Sequence, residues 1–371
     1  MTIYIIVFLA SCLCFYAKDR TRGFLAAFLT LIGITIPCLL AAVRDKTIGT
    51  DVTGYGMFVY RDTKNVSLLE AFNIRSDNPR GFVALAWLIN LANGSFEVYL
   101  FIIELLIILP AYFSISYFLK KDTWIGMLFF FYFLFYAISL NIMKQMIAVS
   151  LSAFALCLAL EKHYKSWLLC SVIAFLMHQT GIVSFLIYPM YLLFSKNSVY
   201  SLVRRFFIYL ASFACVVFIF AFSDSFLAAL SGVKDSYSYM VTNKGKGGLL
   251  ITPLIYLGFI SLLHFMDSKI SGIVYNSRQS YSKENSFIEY LCVLGLMLAE
   301  LQIITLGIGR FGYYFEFFIS IFITYRLKEK NILLRIMAIL FSVTIIFFQI
   351  KFVLDGNCEV YPYTSSILGI K

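Results

Sequence analysis

Arg44, Arg80, Lys144, His178 and Arg310 lie at or inside the ends of apolar runs. Ionisable groups at membrane depth are costly and default to a functional role. Guanidinium and ammonium groups at such a boundary suit phosphate oxygens. The chemistry they point to is therefore the holding of a lipid phosphate or diphosphate. Arg44 opens "RDKTIGTDVTGY", which also carries Asp51 and ends at Tyr55. Arg80 stands in "DNPRGF". Asn141, Lys144 and Gln145 share "NIMKQMIAVS", His178 stands in "FLMHQTG", and Arg310 in "GIGRFGYYF".

Each position also has a plainer reading. Arg44 at a helix C-terminus complements the macrodipole and snorkels. Lys144, about one turn into a helix, snorkels equally well. His178 caps a turn between two helices. Arg310 is the hardest to dismiss, because Gly309 and Gly312 allow close backbone approach and the neighbouring aromatics stack a guanidinium. Glu104, Glu300 and Glu316 lie within apolar runs, where pairing with nearby cations for structural reasons accounts for them. Nucleotide and hydrolase chemistries lack their motifs. The sequence has no GxxxxGK[ST], no GxGxxG after a strand, no HExxH and no GxSxG.

The elements that must position these groups follow from composition. The chain is 61% hydrophobic and 13% charged, with a mean hydropathy of +0.86. Soluble domains carry about 25% charged residues, so a polytopic membrane protein is expected. The net charge of +10 then reflects Lys and Arg in cytoplasmic loops rather than a nucleic-acid partner. Seven of the eight cysteines lie in apolar runs and Cys358 in a polar tail. Neither a disulfide framework nor a metal site is expected.

Apolar runs fall near 2–17, 23–43, 96–119, 123–140, 141–160, 165–178, 179–195, 206–222, 249–266, 287–306, 310–326 and 332–354. That makes about 12 helical spans by the length of the hydrocarbon core. The first run lacks a preceding basic segment and is read as a span rather than a cleavable signal. "FVALAWLINLA" at 82–92 is too short to cross and is expected to be re-entrant or interfacial. An all-α fold in a single transmembrane domain over 1–371 is expected, with external loops near 45–80 and 223–248. Placing both termini outside makes most short cytoplasmic loops net basic, as the positive-inside rule requires. The polar spots named above then fall on the outer face.

The chain resembles the EpsG-like members of the Wzy-type polysaccharide polymerases. The resemblance rests on "RDKTIGTDVTGY", "DNPRGFVALAWLIN", "NIMKQMIAVSLSAFAL", "AFLMHQTGIVSFLIYPM" and "RFGYYF", in that order, over residues 40–318. The family usually shows Asn-x-x-Arg-Gln where this chain has Asn141, Lys144 and Gln145. Lysine keeps the charge and loses the bidentate fork.

The resemblance implies a GT-C-like membrane glycosyltransferase fold and a location in the bacterial inner or plasma membrane. It implies substrates on undecaprenyl diphosphate, used at the outer face without metal or other cofactor. The growing glycan moves from one lipid carrier onto the non-reducing-end sugar of another lipid-linked repeat unit. Membrane lipid, a chain-length regulator and a flippase are the implied partners. On this reading Arg44, Arg80 and Arg310 hold diphosphate or glycan oxygens, assisted by Lys144. Asn141, Gln145, Tyr55 and Tyr313 complete the substrate contacts. His178 or Asp51 is the base; imidazole titrates near neutral pH, and Asp51 alternatively orients Arg44 or a sugar hydroxyl.

Other readings remain alongside. An O-antigen-ligase-like transferase would use the same cations and differ only in its acceptor. A lipid-linked oligosaccharide transporter or flippase would show repeated halves and charges near mid-membrane, whereas no repeat is found here. A scaffold for an export complex would tolerate loss of Arg310.

Overall fold

The computed structural model describes residues 1–195, 201–221, 251–273, 283–303 and 309–370. The expected loop at 223–248 lies outside them. Among the described residues the chain is helical, with a lone bridge between Ser365 and Ile370 as the one extended pairing. It falls into two compact units, Met1–Tyr188 with Ser342–Lys371, and Pro189–Phe341.

In the first unit, α1 (Thr2–Lys18) and α2 (Gly23–Ala42) form an antiparallel pair. The stretch expected as an external loop carries short helices. It contains a π-helical turn at Val52–Gly56, α3 (Met57–Asp62) and α4 (Leu68–Ile74). Ser67 starts α4 by accepting the Glu70 amide, which is ordinary N-capping. The short run expected at 82–92 forms α5 (Arg80–Leu91). Next comes α6 (Phe96–Leu119), capped by Ser95.

The run expected as one span at 123–140 is divided. It comprises α7 (Thr123–Met127), a π-helical stretch at Leu128–Phe135 and α8 (Tyr136–Asn141). A further break at Ile142 (φ −86°, ψ 56°) separates α8 from α9 (Met143–Leu160). After it come α10 (Tyr164–Met177), a 3₁₀ turn at Gln179–Ile182 and α11 (Val183–Ser195).

Among the described residues, four helices are long and apolar enough to cross a membrane: α2, α6, α9 and the late helix Ile332–Leu354. Of these α9 is the most enclosed, at 78% buried against 61, 33 and 28% for the others. Its composition explains this. Ala148, Ser150, Ser152, Ala153 and Ala155 are small and fully buried, so α6 and α10 can approach its backbone closely. The outer helices keep apolar side chains outward, such as Leu13, Phe24 and Phe347. Such a surface suits lipid rather than water.

The second unit contains α12 (Ser201–Ala221), α13 (Ile251–Ile273) and α14 (Lys283–Ala299). Two 3₁₀ turns, Glu300–Ile303 and Arg310–Gly312, precede α15 (Tyr313–Glu316) and α16 (Ile319–Leu327). The run expected at 310–326 is thus also broken. The last helix, α17 (Ile332–Leu354), returns the chain to the first unit and is followed by a folded tail.

Candidate functional site

The α2 helix ends at Ala42 and Val43 caps it, so Arg44 is the first charged side chain beyond the helix. Arg44 is only 6% exposed. Its Nη2 contacts Met143 Sδ at 3.4 Å, while Nε and Nη1 meet no hydrogen-bond partner among the described residues. The Glu104 carboxylate and the hydroxyls of Tyr4, Tyr136 and Tyr363 are its electrostatic neighbours. Those hydroxyls already donate elsewhere. Tyr4 donates to the Val360 carbonyl (2.7 Å), Tyr136 to that of Pro37 (2.7 Å) and Tyr363 to that of Leu40 (2.8 Å). Glu104 accepts from Ser139 at 2.9 Å. A buried guanidinium with two unanswered nitrogens is costly, and the oxygens of an anionic ligand would answer them.

The break at Ile142 places the N-terminus of α9 beside this cation. The first amides of a helix have no partners within it, and the dipole favours negative charge there. The "TDVTGY" segment folds onto this point. The Asp51 amide donates to Asn141 Oδ1 at 3.2 Å. The Tyr55 hydroxyl donates to Asp51 Oδ2 in a short bond and receives the Lys144 backbone amide. Burial first, and the Asp51 carboxylate second, push the Tyr55 phenol well above its usual range. It therefore stays protonated and serves Asp51 as a donor. Lys144 Nζ lies 3.4 Å from the centre of the Tyr55 ring and 3.0 Å from Asn78 Oδ1.

Gly49 makes this approach feasible. Its φ is +84°, and a Cβ there would lie 2.3 Å from the Leu140 carbonyl oxygen. Gly54 lies within the π-helical turn with open space around it.

Arg80 is exposed at the first position of α5, with its guanidinium 5.9 Å from the Phe72 ring centre. The α5 helix packs on α10, and Gly81 lies against the Leu176 backbone. His178 follows directly after α10, and its 3₁₀ turn packs on α9. His178 Nδ1 is 2.6 Å from Thr180 Oγ1 and accepts the Thr180 amide at 3.3 Å. A neutral imidazole so held carries its proton on Nε2, so that nitrogen donates rather than abstracts. His178→Gln retains an N–H near that position, whereas His178→Ala removes it.

Arg44, Asp51, Tyr55, Asn141 and Lys144 thus form one cluster in the first unit. Gln145, buried on α9, and Arg80 and His178 stand on elements packed around it. Arg310 and Tyr313 belong to the second unit. There Arg310 is half-buried in its 3₁₀ turn, and Gly312 lies against Gly295 and Ala299 of α14. Sequence reasoning missed Asn78, which is 7% exposed and holds Lys144; its signal was the polar "DN" before Pro79. It also missed the C-terminal tail, which carries no recognisable motif.

The model of the EpsG family matches residues 27–365. No curated protein and no solved structure matches the chain.

Proposed function

Because the chain belongs to the EpsG family, we propose that it polymerises lipid-linked oligosaccharide repeat units into a bacterial surface polysaccharide. The observation that carries the reading is the buried Arg44 guanidinium, with two unanswered nitrogens, beside the N-terminus of α9. Lys144 adds a second positive charge at that point. A diphosphate leaving group matches both features.

The donor is a growing glycan on undecaprenyl diphosphate. The acceptor is the non-reducing-end hydroxyl of another lipid-linked unit. A new glycosidic bond forms from that oxygen to the anomeric carbon, and the carbon–oxygen bond to the diphosphate breaks. The acceptor proton passes to Asp51, and the charge left on the diphosphate is offset by Arg44 and Lys144. His178 donates from Nε2 to a substrate oxygen. Arg80, Asn141 and Gln145 line the approach, and Tyr55 keeps Asp51 oriented. For Arg310 and Tyr313, in the second unit, a role toward glycan or phosphate oxygens rests on the family resemblance alone.

We place the reaction at the outer face of the plasma membrane, with both termini on that side. The fold is GT-C-like with about 12 crossings. Charge stabilisation comes from the protein's own cations, and a flippase and a chain-length regulator are the natural partners.

Purified protein should bind a polyprenyl diphosphate more tightly than the matching monophosphate. Lys144→Met should weaken diphosphate binding about tenfold, the scale of one hydrogen bond to a charged group. Lys144→Arg should restore it. Equal affinity of the wild-type protein for the two lipids would remove the diphosphate reading.

A further inference from the structure

The tail after α17 folds back over the end of α2. Its residues make six hydrogen bonds with positions 40–49, about 320 positions away in sequence. Tyr363 donates its hydroxyl to the Leu40 carbonyl at 2.8 Å, and Ser365 donates its own to that of Val43. These are among the last carbonyls of α2, which have no partner inside the helix. The Asp45 amide donates to the Thr364 carbonyl (3.1 Å) and the Gly49 amide to that of Glu359 (2.9 Å). The Ser366 amide and hydroxyl both donate to Asp45 Oδ1 at 2.8 Å.

The backbone is therefore gripped on both sides of Arg44, at Val43 and at Asp45. The grip also has an apolar side. The Tyr363 ring packs edge-on against Tyr4 at 5.4 Å, and Tyr4 against Tyr136 at 6.1 Å. All three tyrosines are electrostatic neighbours of the Arg44 guanidinium. A buried arginine at a helix end would otherwise relax outward, since its long stem readily carries the charge to water. The tail opposes that relaxation.

We propose that residues 359–366 form a strap that positions Arg44 for its anionic substrate, with Tyr363, Ser365 and Ser366 as the positioning residues. The proposal rests on the diphosphate reading of Arg44. The strap shapes the site without touching the substrate. Loosening it should cost substrate affinity and rate while leaving the helices intact.

The Asp45 contact adds a pH signature. Its two bonds from Ser366 hold the Asp45 carboxyl below its usual value. A carboxyl so depressed contributes stability that is fully present above about pH 4, the unfolded value. That contribution fades as pH falls through the folded value. The strap should therefore hold across the neutral range and loosen only in acid.

The test compares wild type with Ser365→Ala/Ser366→Ala and with Ser365→Thr, which keeps a hydroxyl. Three quantities are read: exchange of the Asp45 and Gly49 amides with deuterium, the preference for polyprenyl diphosphate over monophosphate, and thermal midpoint. The double variant should exchange both amides at least tenfold faster and lose most of its diphosphate preference, with the midpoint lowered by no more than about a few degrees. Ser365→Thr should behave as wild type. Faster exchange with full preference and turnover would overturn the positioning role. Unchanged exchange would overturn the strap itself. Wild-type protein without any diphosphate preference would instead sink the reading of Arg44, and the strap would then stand or fall on exchange alone.

Discussion

Replacing Arg44 with methionine is expected to cut polymer formation by about a hundredfold or more, the cost typical of removing one preorganised charge stabiliser. Lipid-linked single repeats should accumulate in its place. Folded protein should remain near wild-type levels. Arg44 makes one weak contact to Met143 Sδ and leaves Nε and Nη1 unanswered, so the fold depends on it for few hydrogen bonds. Methionine fills similar space beside Met143 without a charge to desolvate, and Glu104 keeps its bond from Ser139. A structural arginine would give the opposite pattern: lower yield and a lower midpoint, with normal polymer length from the protein that survives. Gel analysis of lipid-linked glycans, together with thermal unfolding in detergent, separates the two.

Asp51→Asn is expected to lower turnover by about 10²–10⁴, the usual contribution of a positioned general base, while diphosphate binding persists. Asparagine can still accept from Tyr55 and still presents its amide to Asn141, so the local fold is retained. Only the capacity to take a proton is lost. Tyr55→Phe should have a smaller effect, because it removes the orienting donor and leaves the base. Single-turnover measurements with preformed complex read the chemical step directly. Normal turnover in Asp51→Asn, together with loss in His178→Gln, would transfer the base role to His178.

The parts of this site that were legible in sequence are those at the ends of apolar runs. Arg44 after α2, Lys144 at the start of α9 and His178 after α10 all stand out because hydrocarbon tolerates so few charges. The family resemblance rested on the same segments, and the family match agrees with it. The short helices between residues 52 and 74 were not legible. They are only five to seven residues long and show no sustained helical period.

The breaks inside apolar runs were equally silent. Nothing in "LFFFYFLF" or at Ile142 marks a change of helical pitch, since neither glycine nor proline is involved. The strap was invisible for a different reason: its bonds join residues more than 300 positions apart through backbone groups and common hydroxyls. Arg310 was grouped with the other cations by expected membrane side, and Tyr313 joined it through the family resemblance. The structure assigns them to a separate unit, a distinction that hydropathy does not encode.

The central claim is that this chain joins lipid-linked repeat units to one another. Its most direct test supplies purified protein in liposomes with lipid-linked repeat units and no other acceptor. A ladder of longer lipid-linked glycans, with release of free polyprenyl diphosphate, is the predicted result. Absence of a ladder, with either transfer only to an added foreign acceptor or movement of intact substrate across the bilayer, would contradict it.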